Sequence, residues 1–161
     1  HNGLITSIDF YPDYSKAITS SSDGSFAIWS TSTMEIIGFK NLTTSINAVG
    51  LNPQNNDIIV LLQNGNVQVY ESSTLTLKFS FAYPNGGHGN AIQFISKGNA
   101  YVLGGYDLNS VPKMHYFDSN HNLIRSTSTG FNVNSSIDRI FNAADAMIFV
   151  SSDEATAPVT I

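Results

Sequence analysis

A translation limits this chain more than any single motif does. Moving the opening of the sequence by 41 positions lays Ile5 on Ile46, Ile8 on Val49, Phe10 on Leu51 and Pro12 on Pro53. The register continues without a gap: Ile18 meets Ile59, Asp23-Gly24 meets Asn64-Gly65, and Ile28-Trp29 meets Val69-Tyr70. It reaches STSTMEI (30–36) against ESSTLTL (71–77). A period of this length marks a repeat architecture, in which one unit cannot bury its own faces and relies on the next.

A third copy is looser. Ile92, Phe94, Val102 and Asp107 take the places of Ile8, Phe10, Ile18 and Asp23, LNSVP (108–112) lengthens a turn, and KMHYFD (113–118) brings Phe117 to the tryptophan place. A fourth copy starts near Ile137, with AMIFVSSDE (146–154) resembling KAITSSSDG (16–24) and a last apolar run at 159–161.

Each copy reads as four short strands. In the first they cover about 6–10, 17–21, 25–29 and 35–39, with Ile8 and Phe10 turned inward. Asp23-Gly24 fits a two-residue hairpin turn, whose central residues both accept positive φ. Pro12-Asp13 fits the first corners of the preceding turn. One helical period competes, SSIDRIFNAADAMIFV (135–150), with Ile137, Ile140, Phe141 and Ala144 at i, i+3, i+4 and i+7. The repeat register reads it instead as two strands around an Asn-Ala-Ala-Asp turn. The expected fold class is all-β.

Composition agrees and narrows the function. Charged residues make up 12% of the 161, about half the common share, and Ser, Thr and Asn fill the difference, as suits strands and turns. A net charge of −5 with seven Lys and Arg offers no basic stripe for neutralising phosphates, so direct sequence-specific nucleic-acid binding is not expected. The lack of cysteine removes disulfides and thiolate metal sites. No apolar run approaches the roughly 18 residues of a membrane helix, so no membrane partner is expected. Asn41-Leu42-Thr43 and Asn134-Ser135-Ser136 match glycosylation triplets that chance produces readily in an Asn- and Ser-rich chain.

The first copy resembles a WD40 repeat. The resemblance rests on His1, Ile5, Ile8, Phe10, Pro12-Asp13, Ser20 through Asp23-Gly24, and Ile28-Trp29; Ser30 replaces the closing aspartate of that family. It implies a β-propeller of four-stranded antiparallel blades around a channel, here over about 1–41, 42–83, 84–129 and a truncated 130–161. Such propellers usually close with seven blades, so the resemblance implies a segment of a larger ring, completed by a partner chain or further residues; a self-closed four-bladed ring is the alternative. It also implies a structural hydrogen-bond set joining His1, a second-strand serine (Ser20 or Ser21), Asp23 and Trp29. The second copy has Leu42, Asn64 and Tyr70 at these places, while Asp107 and Asp153 persist in the third and fourth.

The function implied is that of a non-catalytic scaffold, intracellular, binding other proteins or peptides within a multi-subunit assembly through loops on one propeller face. The register assigns Leu4, Gln63, His88, Tyr106, Phe131 and Asn132 to that face. Alternatives are a subunit of an RNA–protein particle and an enzyme on the same scaffold. No cofactor or metal is expected. In HYFDSNH (115–121), Asp118 and His121 read as turn residues open to solvent rather than as ligands beside His115. PNGGHGN (84–90) lacks the Lys-Ser/Thr of a phosphate loop, and no nucleophile-elbow, HExxH or paired-carboxylate pattern appears. With Arg125 and Arg139 the only arginines, no cluster for reading phosphopeptides is present.

Overall fold

The computed structural model describes residues 1–129, 137, 139–143 and 147–151. Strands β1 (Ile5–Phe10), β2 (Lys16–Ser21), β3 (Ser25–Ser30) and β4 (Ile36–Asn41) form sheet 1; β5 (Ile46–Leu51), β6 (Ile58–Leu62), β7 (Asn66–Tyr70) and β8 (Leu77–Ala82) form sheet 2. Sheet 3 contains β9 (His88–Ile95), β10 (Ala100–Tyr106), β11 (Pro112–Asp118) and β12 (Leu123–Ser128). β13 (Arg139–Ala143) pairs with β14 (Met147–Ser151), so 139–143 and 147–150 of the stretch with a helical period are strand, while 144–145 of the expected turn lie outside the described residues. Every sheet is antiparallel, ordered as in the sequence, and open.

The sheets stack face on face in sequence order. Ile18, Phe26 and Ile28 of sheet 1 pack on Val49, Leu51, Ile58, Val60 and Tyr70 of sheet 2. From its other face sheet 2 sends Ile59, Leu61, Val67 and Val69 against Tyr101, Leu103 and Phe117 of sheet 3. Ala91 and Val102 then meet Ile137 and Ile140. This explains β6, whose IIVLL is buried at every position: a strand covered on both faces needs an unbroken apolar run. The fourth strands lie at sheet edges, and β4, β8 and β12 are mostly exposed.

The stack is splayed. β1 lies beside β5, β5 beside β9 and β9 beside β13, whereas the fourth strands contact chiefly their own third strands. Short polar side chains tie the close side together. The Ser7 hydroxyl accepts the Val49 N–H at 2.8 Å, Asp9 accepts the Leu51 N–H at 2.8 Å, and Asn47 donates to the Gly89 carbonyl at 3.0 Å. Each satisfies a first-strand backbone group that has no further strand beside it.

Two sequence expectations need correction. Ile8 and Phe10 are not inward: they are 58% and 47% exposed, while Val49 and Leu51, one period on, are 3% and 4% exposed. Ser7 and Asp9 face sheet 2 instead, and no described sheet covers the other face of sheet 1. The turn after β2 also differs. Gly24 donates to the Ser21 carbonyl, Ser20 pairs with Phe26, and only Gly24 has positive φ (86°), so this is a three-residue loop of type I turn plus left-handed glycine. Gly65 repeats it, with φ 81° and a bond to Leu62.

Candidate functional site

The exposed face of sheet 1 carries a hydrogen-bond chain. The Trp29 indole N–H donates to the Thr19 hydroxyl at 2.8 Å, and Thr19 Oγ1 lies 2.7 Å from His1 Nε2. His1 Nδ1 contacts the Ser25 hydroxyl at 2.5 Å, and that hydroxyl donates to the Asp23 carboxylate at 2.5 Å. Asp23 also accepts the backbone N–H groups of Asn2, Gly3 and Ser25. The Ser25 hydroxyl, followed by the Asn2 amide, holds Asp23 well below the usual carboxylate range. Every charge or dipole in the chain is answered by a neighbour. The arrangement fixes the start of the chain to the turn between β2 and β3 and leaves no free nucleophile or base.

Of the expected set, His1, Asp23 and Trp29 come together, but the second-strand member is Thr19. Ser20 lies on the opposite face, bonded to the hydroxyls of Thr6 and Ser7 at 2.8 and 2.9 Å, and the Ser21 hydroxyl accepts the Asp23 N–H. Turn length decides this. A two-residue turn would pair Ser20 with Ala27 on the tryptophan face; the three-residue loop pairs Thr19 with Ala27 instead. Ser25, which relays between His1 and Asp23, was not singled out in the sequence.

The candidate face residues gather at one end of the sheets. Ser22 donates its N–H to the Leu4 carbonyl, Gln63 donates to Ser45, and His88 pairs with Tyr106 across β9 and β10. These three pairs occupy matching places in sheets 1, 2 and 3. Leu4 is 80% exposed, Gln63 is exposed, and the half-buried His88 and Tyr106 rings stand 5.5 Å apart. Leu108, 76% exposed, lies beside Gly86 at the same end. Phe131 and Asn132, like Asp153, lie outside the described residues.

The other sequence candidates are dispersed. Asp107 accepts the N–H groups of Asn109 and Val111 and pairs with Lys113 at 2.9 Å. Asp118 caps its own turn through Asn120 and Asn122. His121 is half-buried rather than fully open to solvent as expected: its ring stacks on Phe79 at 5.4 Å and Nδ1 lies 3.0 Å from the Tyr101 hydroxyl. Splayed fourth strands leave a gap that side chains from a neighbouring turn enter. Among the described residues no three His, Asp or Glu converge on a point that would hold a metal ion, and no helix is long and apolar enough to cross a membrane.

His115 is the one fully buried imidazole, bonded through Nδ1 to the Ser126 hydroxyl at 2.7 Å and standing edge-on to Tyr83 at 5.0 Å. Among the described residues its Nε2 and the Tyr83 hydroxyl have no hydrogen-bond partner. Burial, aided by Lys113, pushes its pKa down from 6.5 to about 4. The neutral form therefore belongs to the fold, and the unfolded chain takes up the proton more readily. Stability from this group is complete above pH 6.5 and falls by roughly 3 kcal/mol as the pH drops towards 4. His121 shifts in the same direction, so the quantity to read is the difference between the native chain and His115→Leu. Urea titrations between pH 7 and 4 should show a markedly flatter slope for the variant; parallel slopes would mean that His115 titrates freely.

No protein-family model matches the chain, and no curated protein does either.

Proposed function

We propose that the chain is a segment of a WD40-like β-propeller and serves as a non-catalytic scaffold that binds other proteins through the loops at one end of its blades. The reading is supported by the 41-residue translation, by three successive sheets of one topology and by their splay about adjacent first strands. In the assembled propeller a further blade covers Ile8 and Phe10, as sheet 1 covers Val49 and Leu51. A partner chain or additional residues supply it.

The observation that carries the binding assignment is the alignment of Leu4–Ser22, Ser45–Gln63 and His88–Tyr106 at one end. A rigid ring of such turns presents a patch in which a few aromatic and aliphatic anchors contribute most of the binding energy. The turn carboxylates Asp23 and Asp107 are both occupied with holding turns. Affinity capture from cell extract with quantitative mass spectrometry provides the test. Leu4→Asp combined with Tyr106→Ala should reduce stoichiometric partners at least tenfold. Ile124→Ser, on an outer strand, should leave them in place. An unchanged set in the first variant, with its melting temperature preserved, would refute the assignment.

A further inference from the structure

The gaps between successive sheets are not filled alike. In β4, Gly38 pairs with Ile28 just before a bulge; one period later in β8, Phe79 pairs with Val69 beside the matching bulge. The Phe79 ring crosses to the next sheet and stacks on His121, at 5.4 Å with planes 17° apart. His121 is the left-handed residue (φ 65°) of the turn leading into β12, and Leu75 (φ 56°) holds that place before β8. Between sheets 2 and 3, then, an aromatic ring joins a fourth strand to the neighbouring turn. Between sheets 1 and 2 Lys40 reaches from β4 to the Leu75 carbonyl at 2.8 Å and over the Tyr70 ring, but beside Gly38, in the place of Phe79, no side chain fills the groove that Gly38 and Leu75 both line.

That space is an open groove of about 610 Å³ with a mixed lining, apolar at Tyr11, Ile28, Ile37 and Leu75 and polar along the turn that carries Ser72 and Thr74. The volume falls within the range of roughly 300–1,000 Å³ in which clefts hold ligands. The fold does not demand glycine here. Gly38 has no positive φ, and an added Cβ would meet only Ile28 side-chain atoms at 3.4 Å, an ordinary contact. Lys16 stands at the groove over the Tyr11 ring, 5.3 Å from its centroid, and takes part in neither of the ion pairs among the described residues. Asp13, also at the groove, is engaged by the Ser15 N–H and hydroxyl at 3.0 and 2.8 Å. Among the described residues β4 is bonded to β3 alone, which leaves its outer edge open, and Ile37 on it is 53% exposed.

We propose that this groove docks an extended peptide from a partner protein, added along β4, which inserts one aromatic side chain beside Gly38 and sets a carboxylate near Lys16. The ring takes the place that Phe79 fills in the next gap. The open strand edge supplies backbone hydrogen bonds and the groove selects the side chain. Only sheets 1 and 2 are involved, so the site is separate from the loop face proposed above and stands or falls independently of it.

The test is selection of a displayed library of random twelve-residue peptides against the folded 161-residue chain. Enriched peptides should share an aromatic residue with an acidic one nearby. Replacing that aromatic by alanine should weaken binding at least tenfold. Gly38→Phe should block the groove from within and weaken the same peptides at least tenfold, with a melting temperature equal to or above that of the native chain. Should that variant fold poorly, Ile37→Glu on the exposed edge should give the same loss, and bound peptide should shift the methyl resonances of Ile28, Ile37 and Leu75. No enrichment, enriched peptides without an aromatic, or binding unaffected by both substitutions would overturn the proposal.

Discussion

Phe26→Ala should destabilise the protein by about 4 kcal/mol. The ring is fully buried, stands 5.3 Å from that of Tyr70, and belongs to the cluster that joins sheet 1 to sheet 2. Alanine would leave a void between two hydrogen-bonded sheets. Neither can collapse into it without breaking its own ladder, so the loss belongs at the upper end for large-to-small changes. In a stack whose units touch only their neighbours, the damage should also be local. Hydrogen exchange should show amides of β1 to β4 losing protection while β10 and β11 keep theirs, and urea unfolding should give the total. Uniform loss across all three sheets would mean that they unfold as one unit.

Gly105→Ala should be comparably severe, at least about 3 kcal/mol. Here glycine is required by proximity. An added Cβ would lie 1.9 Å from the His88 carbonyl oxygen, 2.7 Å from the Tyr83 hydroxyl and 2.9 Å from Gly89 Cα. Two of those atoms are backbone, at the point where the register of β9 and β10 shifts, so relief requires strand movement rather than a change of rotamer. The adjoining His88–Tyr106 pair should be displaced with it. Gly38→Ala provides the contrast and should stay within about 0.5 kcal/mol, since its Cβ meets only side-chain atoms at contact distance. Thermal and urea denaturation of the two variants side by side would settle the comparison; near-neutral Gly105→Ala would contradict the close approach of β9 and β10.

The repeat made most of the architecture legible. Its register set Ile28 against Val69 and Asp23-Gly24 against Asn64-Gly65, and the structure puts each pair at the same place in consecutive sheets. It also overruled the helical spacing of Ile137, Ile140 and Phe141, because i, i+3 and i+4 contacts within one short segment are weak evidence beside a 41-residue translation. Face assignments were harder to read. They depend on parity, and one extra residue in the Ser22–Asp23–Gly24 loop reverses which side of β2 meets Trp29. That single residue is why Thr19, not Ser20, stands between Trp29 and His1.

Exposure of Ile8 and Phe10 was illegible for another reason. Alternation shows that a face is apolar, but only the arrangement of sheets shows whether anything covers it. Gly38 against Phe79 was visible in the aligned copies all along. Its meaning required knowing that fourth strands splay, so that a missing side chain there leaves a groove instead of being closed by packing.

The account depends above all on the order of stacking: sheet 1 on sheet 2, sheet 2 on sheet 3, with first strands adjacent. Nuclear Overhauser contacts in a methyl- and aromatic-labelled sample would test this most directly. The predicted pattern joins Ile18 and Phe26 to Val60 and Tyr70, joins Leu61 and Val69 to Leu103 and Phe117, and includes no contact from β2 or β3 to β10 or β11. Cross-peaks between Phe26 and Leu103 or Phe117 would put sheet 1 directly on sheet 3, as in a closed sandwich, and would contradict the account.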